Sequence, residues 1–295
     1  KPVRFTPPPT GRDDVALLGF TSGTTGEPKA TMHFHRDLLI IADAYDAEII
    51  RPAATRPLAA ARRKSETQRL AALVRQLYEH ASPDIQALID LQFLGIDNVL
   101  ALRGDSIKTE STFKPDPEGH KYAVELINQI AEMNKGNYLV DDILLAPTNF
   151  CIGAAGYPEK HFEAMNLSTD LHYLKAKVDA GAEYIVTQMF FNNQKYFEFV
   201  DACRAIGITV PIIPGIKPIT TLNHISFLPK VFHIDLPEEL SKDLIKCKTN
   251  KDVFEVGVAW GIHQSQELKK AKVPGIHYYT MSTSESVKTI AEQIF

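Results

Sequence analysis

The segment from Tyr184 to Ile219, YIVTQMFFNNQKYFEFVDACRAIGITVPIIPGIKPI, constrains the fold most, because it spells a complete strand, helix, strand unit. Tyr184-Ile185-Val186-Thr187 is a short apolar run rich in β-formers, Tyr196 to Ala205 carries apolar residues at helical spacing, and Gly207 ends that helix. Val210 to Ile213 is the second strand. A crossover of this length joins parallel strands, and a parallel sheet must be covered on both faces or closed into a barrel. Gln188 and the Pro214-Gly215 pair then fall where strands end, which in a (β/α)8 barrel is the mouth that carries the chemistry. A polar amide there is a candidate ligand-binding group. The same spacing also fits a helix cap or a loop hydrogen bond, and Pro-Gly also fits a plain turn.

The same alternation extends over most of the chain. Asn98 to Leu102 reads as a buried strand running into Arg103-Gly104-Asp105, and Phe150 to Gly156 as one running into Tyr157-Pro158-Glu159. Gly275 to Met281, with Tyr279-Thr280, is the last strand. Helices are expected over Ile85–Phe93, Tyr122–Met133, Leu171–Asp179 (opened by Asp170), about Pro237–Lys246, Asn250–Ala271 and the C-terminus. An irregular stretch separates Ile219 from Pro237. Five strands alternating with helices define an α/β fold with a parallel sheet. A carboxylate beside glycine at a strand end makes Asp105 a candidate catalytic group, although a helix N-cap fits as well.

Composition narrows the function classes. A net charge of -4 and a pI near 6.2 oppose a nucleic-acid binder, which needs a basic surface to displace counterions. No apolar run approaches the roughly 20 residues of a membrane span, and the first residues lack a signal-peptide core, so a cytoplasmic protein with no membrane partner is expected. Cys151, Cys203 and Cys247 are odd in number and lack CxxC spacing, so neither a disulfide framework nor zinc is expected. His33 and His35 alternate as on one strand face, but without a third ligand close by; no metal is expected.

Near the N-terminus, Thr21-Ser22-Gly23-Thr24-Thr25-Gly26-Glu27-Pro28-Lys29 follows a strand-like run, Val15 to Phe20. Glycines, small hydroxyls and a lysine can ring an anion, although the spacing is not that of GxxxxGK[ST]. The segment GRDDVALLGFTSGTTGEPKATMHFHRDLL resembles the adenylate-forming acyl-CoA ligases, in which this loop holds ATP phosphates. Residues 53–82 read as a basic, Ala-rich linker and helix with a capping box at Ser65 and Gln68. The expected organisation is a ligase-like fragment over 1–52, this linker, and a barrel region over 83–295.

In the barrel region LALRGD, GAAGYPEKH, DLHYLKAKVDAGAEYIVTQMFF and VPIIPGIKPI occur in order and resemble methylenetetrahydrofolate reductase of the bacterial type. The resemblance implies a TIM-barrel-like (β/α)8 fold, here incomplete because the N-terminal third is atypical. It implies FAD as cofactor, NADH or NADPH as reductant, and reduction of 5,10-methylenetetrahydrofolate to 5-methyltetrahydrofolate. It assigns Arg103, Gly104, Asp105, Tyr122, Ala123, Tyr157, His161, Asp170 and Lys177 to FAD, with Asp105 also catalytic, and Gln188 to the folate pterin. A homo-oligomer is compatible with it. The family's first three strands, bearing a glutamate that acts as general acid, should precede Asn98, where this chain carries the ligase-like segment. Slowed folate turnover is therefore expected. The alternatives are a non-catalytic fusion product or FAD- or folate-binding remnant and, further off, an ATP-dependent acyl-CoA ligase.

Overall fold

A computed structural model describes residues 15–21, 29–34, 83–93, 96–103, 119–138, 147–280 and 284–295. The chain divides into two compact units, one taking described residues 15–16, 33–34 and 153–295 and the other those within 17–32 and 46–152.

In the N-terminal unit, strands β1 (Val15–Thr21), β2 (Lys29–Phe34) and β3 (Asn98–Leu102) lie in the order β2-β1-β3. β1 runs parallel to β3, with Gly19 opposite Leu100 and Thr21 opposite Leu102. β1 thus forms at the strand-like run Val15–Phe20, and β2 takes in His33, whose alternation with His35 reads as one strand face. Val99, Leu100 and Ala101 are all buried, which explains why β3 reads as an unbroken apolar run rather than an alternating one. Helix α1 (Pro83–Phe93) precedes it and α2 (Ala123–Met133) packs beside it. Leu126, Ile127, Ile130 and Met133 make the buried stripe of α2. Its N-terminus is closed by the Glu125 carboxylate, which accepts the backbone N–H of Lys121 at 2.7 Å and of Tyr122 at 3.0 Å. Beyond its C-terminus, Asn134 donates to the Phe150 carbonyl at 2.8 Å and accepts the Phe150 N–H at 2.9 Å, fixing the approach to the next strand.

The C-terminal unit alternates β4 (Cys151–Gly156), α3 (Leu167–Asp179), β5 (Tyr184–Met189), α4 (Asn193–Ala205) and β6 (Ile212–Ile216). Helices α5 (Leu222–Phe232), α6 (Glu238–Leu244) and α7 (Asn250–Lys270) follow, then β7 (His277–Tyr278) and α8 (Glu285–Ile294). The strands lie in the order β4-β5-β6-β7, each pair parallel, as the α/β reading requires. One apolar core joins the sheet to α4, α7 and α8 through Ile185, Phe199, Ile212, Leu268, Tyr278 and Ile290. A second, around Phe191, Ile219, Leu228, Leu240 and Val253, lies among α5, α6 and α7. Among the described residues there are seven strands, one fewer than the eight of a closed (β/α)8 barrel.

Several boundaries differ from the sequence reading. Gln188 lies inside β5, not after it, and Pro214-Gly215 lies inside β6 rather than in a turn. Proline has no N–H to give a ladder; here the pairing is irregular between Val186 and Met189, and the Gly215 N–H donates to the Thr187 hydroxyl at 2.9 Å. Asp170 does not open α3: Asn166 is the cap, its side chain accepting the Thr169 N–H at 2.8 Å. The expected irregular stretch holds helix α5, whose internal Pro229 masks the helical pattern. The last strand is only two residues long.

Candidate functional site

Four of the sequence-assigned residues converge at the C-terminal end of β4. Lys177, in the last turn of α3, donates from Nζ to the Ala155 carbonyl at 3.0 Å. Asp170, in the first turn of the same helix, accepts the His161 N–H at 2.8 Å through Oδ2. The His161 ring meets Tyr157 edge-on at 4.6 Å and stacks on Phe162 at 4.8 Å, and Phe162 stacks on His233 at 4.9 Å. The loop between them turns at Lys160, whose φ of 75° lies in the left-handed region, at a cost of about 1–2 kcal/mol. Its ammonium offsets that by donating to the carbonyls of His161 at 3.0 Å and Ala164 at 2.6 Å. The aromatic ladder thus sits on a short, braced loop, which the Asp170–His161 bond ties to the first turn of α3, while Lys177 reaches the end of β4 from the last turn of that helix.

Glu159 belongs to this loop and was passed over as a site residue. Its Oε2 accepts the Asp235 N–H at 3.1 Å, whereas Oε1 is buried with no hydrogen-bond partner. Burial lifts its carboxyl from an ordinary 4.5 to about 6. In sequence it was only the third residue of Tyr-Pro-Glu, and nothing local announces burial.

At the ends of β5, β6 and β7 a second set of polar groups meets. Thr187 is fully buried, its hydroxyl accepting from Gly215 and its carbonyl accepting the Tyr279 O–H at 2.8 Å. Burial raises the Tyr279 phenol above its ordinary range. Gln188 is half-buried; its amide oxygen accepts the Met189 N–H at 2.9 Å, and its NH₂ has no partner among the described residues. Lys217, just past β6, is also buried, and desolvation lowers its ammonium to about 8. It was missed because IPGIKPI reads as a strand end in which a lysine would be solvated.

The remaining assigned residues belong to the other unit. Arg103, half-buried, follows β3; Tyr122, exposed, caps α2; Ala123 is the first residue of α2. Gly104 and Asp105 lie outside the described residues, as do His35, the Ser65–Gln68 box and residues 22–28 of the phosphate-loop motif. Among the described residues no group of three or more His, Cys, Asp or Glu could hold a metal ion.

Ligand groups gathered at the carboxyl ends of parallel strands define an α/β protein of the enzyme kind, since that is where such folds place their sites. The chain belongs to the methylenetetrahydrofolate reductase family, whose model matches residues 67–295. A second family model, AMP-binding enzyme, matches residues 2–61. The chain is 37% identical over 207 residues to "Probable methylenetetrahydrofolate reductase (NADPH)" of Caenorhabditis elegans, covering 68% of this chain and 28% of that protein. It is 38% identical over 213 residues to "Methylenetetrahydrofolate reductase (NADH) 1" of Arabidopsis thaliana, covering 68% and 33%. It is 30% identical over 192 residues to "5,10-methylenetetrahydrofolate reductase" of Pectobacterium carotovorum subsp. carotovorum, covering 65% and 58%. These relatives are oxidoreductases by name. The chain spans a third or less of the two eukaryotic relatives and somewhat over half of the bacterial one.

Proposed function

We propose that the protein is a flavin-dependent oxidoreductase that reduces 5,10-methylenetetrahydrofolate to 5-methyltetrahydrofolate with NADH or NADPH. The observation that carries this reading is the cluster at the end of β4, where Tyr157, His161, Asp170 and Lys177 meet. Its donor set fits the ribose and diphosphate part of FAD. The lysine supplies positive charge for the diphosphate, and Asp170 keeps Oδ1 without a partner among the described residues, open to a ribose hydroxyl. In the same proposal Arg103, Gly104, Asp105, Tyr122 and Ala123 serve the flavin ring. FAD, when bound, supplies a two-electron carrier between the nicotinamide and the folate.

Gln188 is assigned to the pterin. With its oxygen turned to the Met189 N–H, the NH₂ can donate to a ring acceptor, and the oxygen keeps a second lone pair for a ring donor. Asp105 is assigned to tuning the flavin and orienting the folate. A cytoplasmic location accords with Cys151, Cys203 and Cys247 not being joined in disulfides and with the absence, among the described residues, of a helix long and apolar enough to cross a membrane. A homo-oligomer is compatible with this reading.

The deciding experiment is FAD titration of the purified protein, followed by absorbance and flavin fluorescence. Saturable binding that Lys177→Met weakens about tenfold or more is expected, a loss of roughly 1.4 kcal/mol. No flavin in the purified protein and no uptake on adding FAD would leave a non-catalytic remnant instead. Asp105→Asn should then keep FAD binding while slowing folate reduction more than reduction of the flavin by NADH. Equal slowing of both half-reactions would remove Asp105 from the folate step.

A further inference from the structure

Gln188 sits in a β-bulge. Val186 pairs with Ile213 and Met189 with Gly215, so Thr187 and Gln188 together face the single residue Pro214. Proline has no N–H to give the ladder, and a bulge bends its strand and re-aims a side chain. What the ladder does not hold here, side chains hold from either side. Before Gln188, the Thr187 carbonyl accepts the Tyr279 O–H at 2.8 Å and the Thr187 hydroxyl accepts the Gly215 N–H at 2.9 Å. After it, Gln264 Nε2 donates to the Phe190 carbonyl at 3.2 Å and Trp260 Nε1 to the Phe191 carbonyl at 3.0 Å. Asn193, the first residue of α4, completes the joint. Its Oδ1 accepts from Gln264 at 3.2 Å, and its Nδ2 donates to the Gln264 carbonyl at 3.0 Å and to Glu267 Oε2 at 2.7 Å. Trp260, Gln264 and Glu267 follow one another at helical spacing, so a single face of α7 grips the exit of β5. Gln264 is only 3% exposed, a position where an apolar side chain would pack without the cost of desolvating an amide.

We propose that Gln264 is a positioning residue for the folate substrate, holding the exit of β5 so that the bulge presents the Gln188 amide to the pterin. This rests on the assignment of Gln188 to the pterin made above, and adds the device that aims it. The Gln188 amide oxygen accepts the Met189 N–H at 2.9 Å, so the direction of its NH₂ is tied to the backbone of the next residue. That backbone is in turn fixed one residue further on, where Gln264 holds the Phe190 carbonyl. With this donor removed, the segment from Met189 to Phe191 has more conformations to lose when a ligand docks, and affinity falls without any contact to the ligand being deleted. The groups assigned to the FAD ribose and diphosphate lie on α3 and the loop after β4, away from this joint in the chain, so FAD affinity is independent of it.

The FAD-loaded full-length protein is titrated calorimetrically with 5-methyltetrahydrofolate, and FAD affinity is read separately from flavin fluorescence. Gln188→Leu should weaken folate binding about tenfold or more, and Gln264→Met, which keeps the bulk and removes the donor, about fivefold, with FAD affinity unchanged within about twofold. In the Gln188→Leu background Gln264→Met should weaken folate no further, because its effect passes through that amide. Additive losses in the double variant, or a parallel loss of FAD affinity in Gln264→Met, would make Gln264 a general brace of the fold and overturn the positioning role. Wild-type folate affinity in Gln264→Met, with Gln188→Leu impaired, would overturn it too and leave the pterin assignment standing. No folate binding by the wild type, or full folate affinity in Gln188→Leu, would remove that assignment and this role with it. Should Gln264→Met not fold, Trp260→Phe, which deletes the indole donor to the Phe191 carbonyl, takes its place in the same cycle with the same outcomes.

Discussion

At Glu159 burial and charge oppose each other, and the balance fixes a pH dependence. Its folded pKa, about 6, lies above the ordinary 4.5, so the folded state binds the proton more tightly than the unfolded one. The stability this contributes is fully present below pH 4.5 and is lost as pH rises through about 6. Because the group is partly solvated, screening reduces the swing to about 1 kcal/mol. Glu159→Gln keeps an acceptor for the Asp235 N–H and removes the charge. It should therefore be more stable than wild type by about 1 kcal/mol at pH 8 and show a flatter profile between pH 4.5 and 6. Urea midpoints at those pH values check this; identical profiles would mean that Oε1 has a partner in solution. At this scale the sequence was legible where chemistry sits in a motif. Tyr157, His161, Asp170 and Lys177 were assigned from the motifs that carry the family resemblance, and in the structure Asp170 bonds His161, His161 meets Tyr157 and Lys177 bonds the Ala155 carbonyl. Glu159 and Lys217 were not, because what distinguishes them is desolvation, which depends on residues far away in the chain: Asp235 for one, Trp260 and Gln264 for the other.

Individual elements were legible wherever local pattern and tertiary demand agree. β3 was expected over Asn98–Leu102 and forms there, because a strand buried on both faces needs only a run of apolar residues. α3 was misjudged by one turn, since Asp170 and Asn166 are both good caps and only the structure shows which side chain turns back on the helix. Asn166→Ala should consequently cost about 1 kcal/mol, read as a shift in the thermal midpoint, without touching the Asp170–His161 bond. α5 was missed because a proline inside a helix removes a backbone donor and obscures the period. In α7 the decisive residue is Gly257: a Cβ there would lie 1.8 Å from the Ile219 carbonyl oxygen, a rigid backbone atom. Gly257→Ala should force the helix away from the segment after β6 and destabilise the protein by about 3 kcal/mol. An unaltered urea midpoint would show that this close approach is absent in solution.

For the whole molecule, the two family models meet between residues 61 and 67, and the proton chemistry of the proposed reaction depends on what lies on the N-terminal side of that junction. The sequence reads as a ligase-like fragment with one strand-like run there, and β1 and β2 form, with β1 parallel to β3. It could not tell what chemistry they carry, since strand pairing is set by backbone and apolar pattern, whereas catalysis needs particular side chains. For methylenetetrahydrofolate to accept a hydride its five-membered ring must open to an iminium, and a positioned acid eases that step, typically by about 10²–10⁴-fold. Asp13 and Asp14 precede β1 in the chain and Glu27 follows it. In a parallel α/β fold the catalytic positions follow the strands, so Glu27 is the candidate of the three. Reduction of an artificial acceptor such as menadione by NADH needs no ring opening and no such acid. We therefore expect NADH–menadione activity of the FAD-loaded protein to survive better than folate reduction, each measured against an intact member of the family. Equal losses in both assays would locate the defect at the flavin site. Full folate turnover that Glu27→Gln abolishes would instead show that the N-terminal segment supplies a working acid, and the expected deficit would then be wrong.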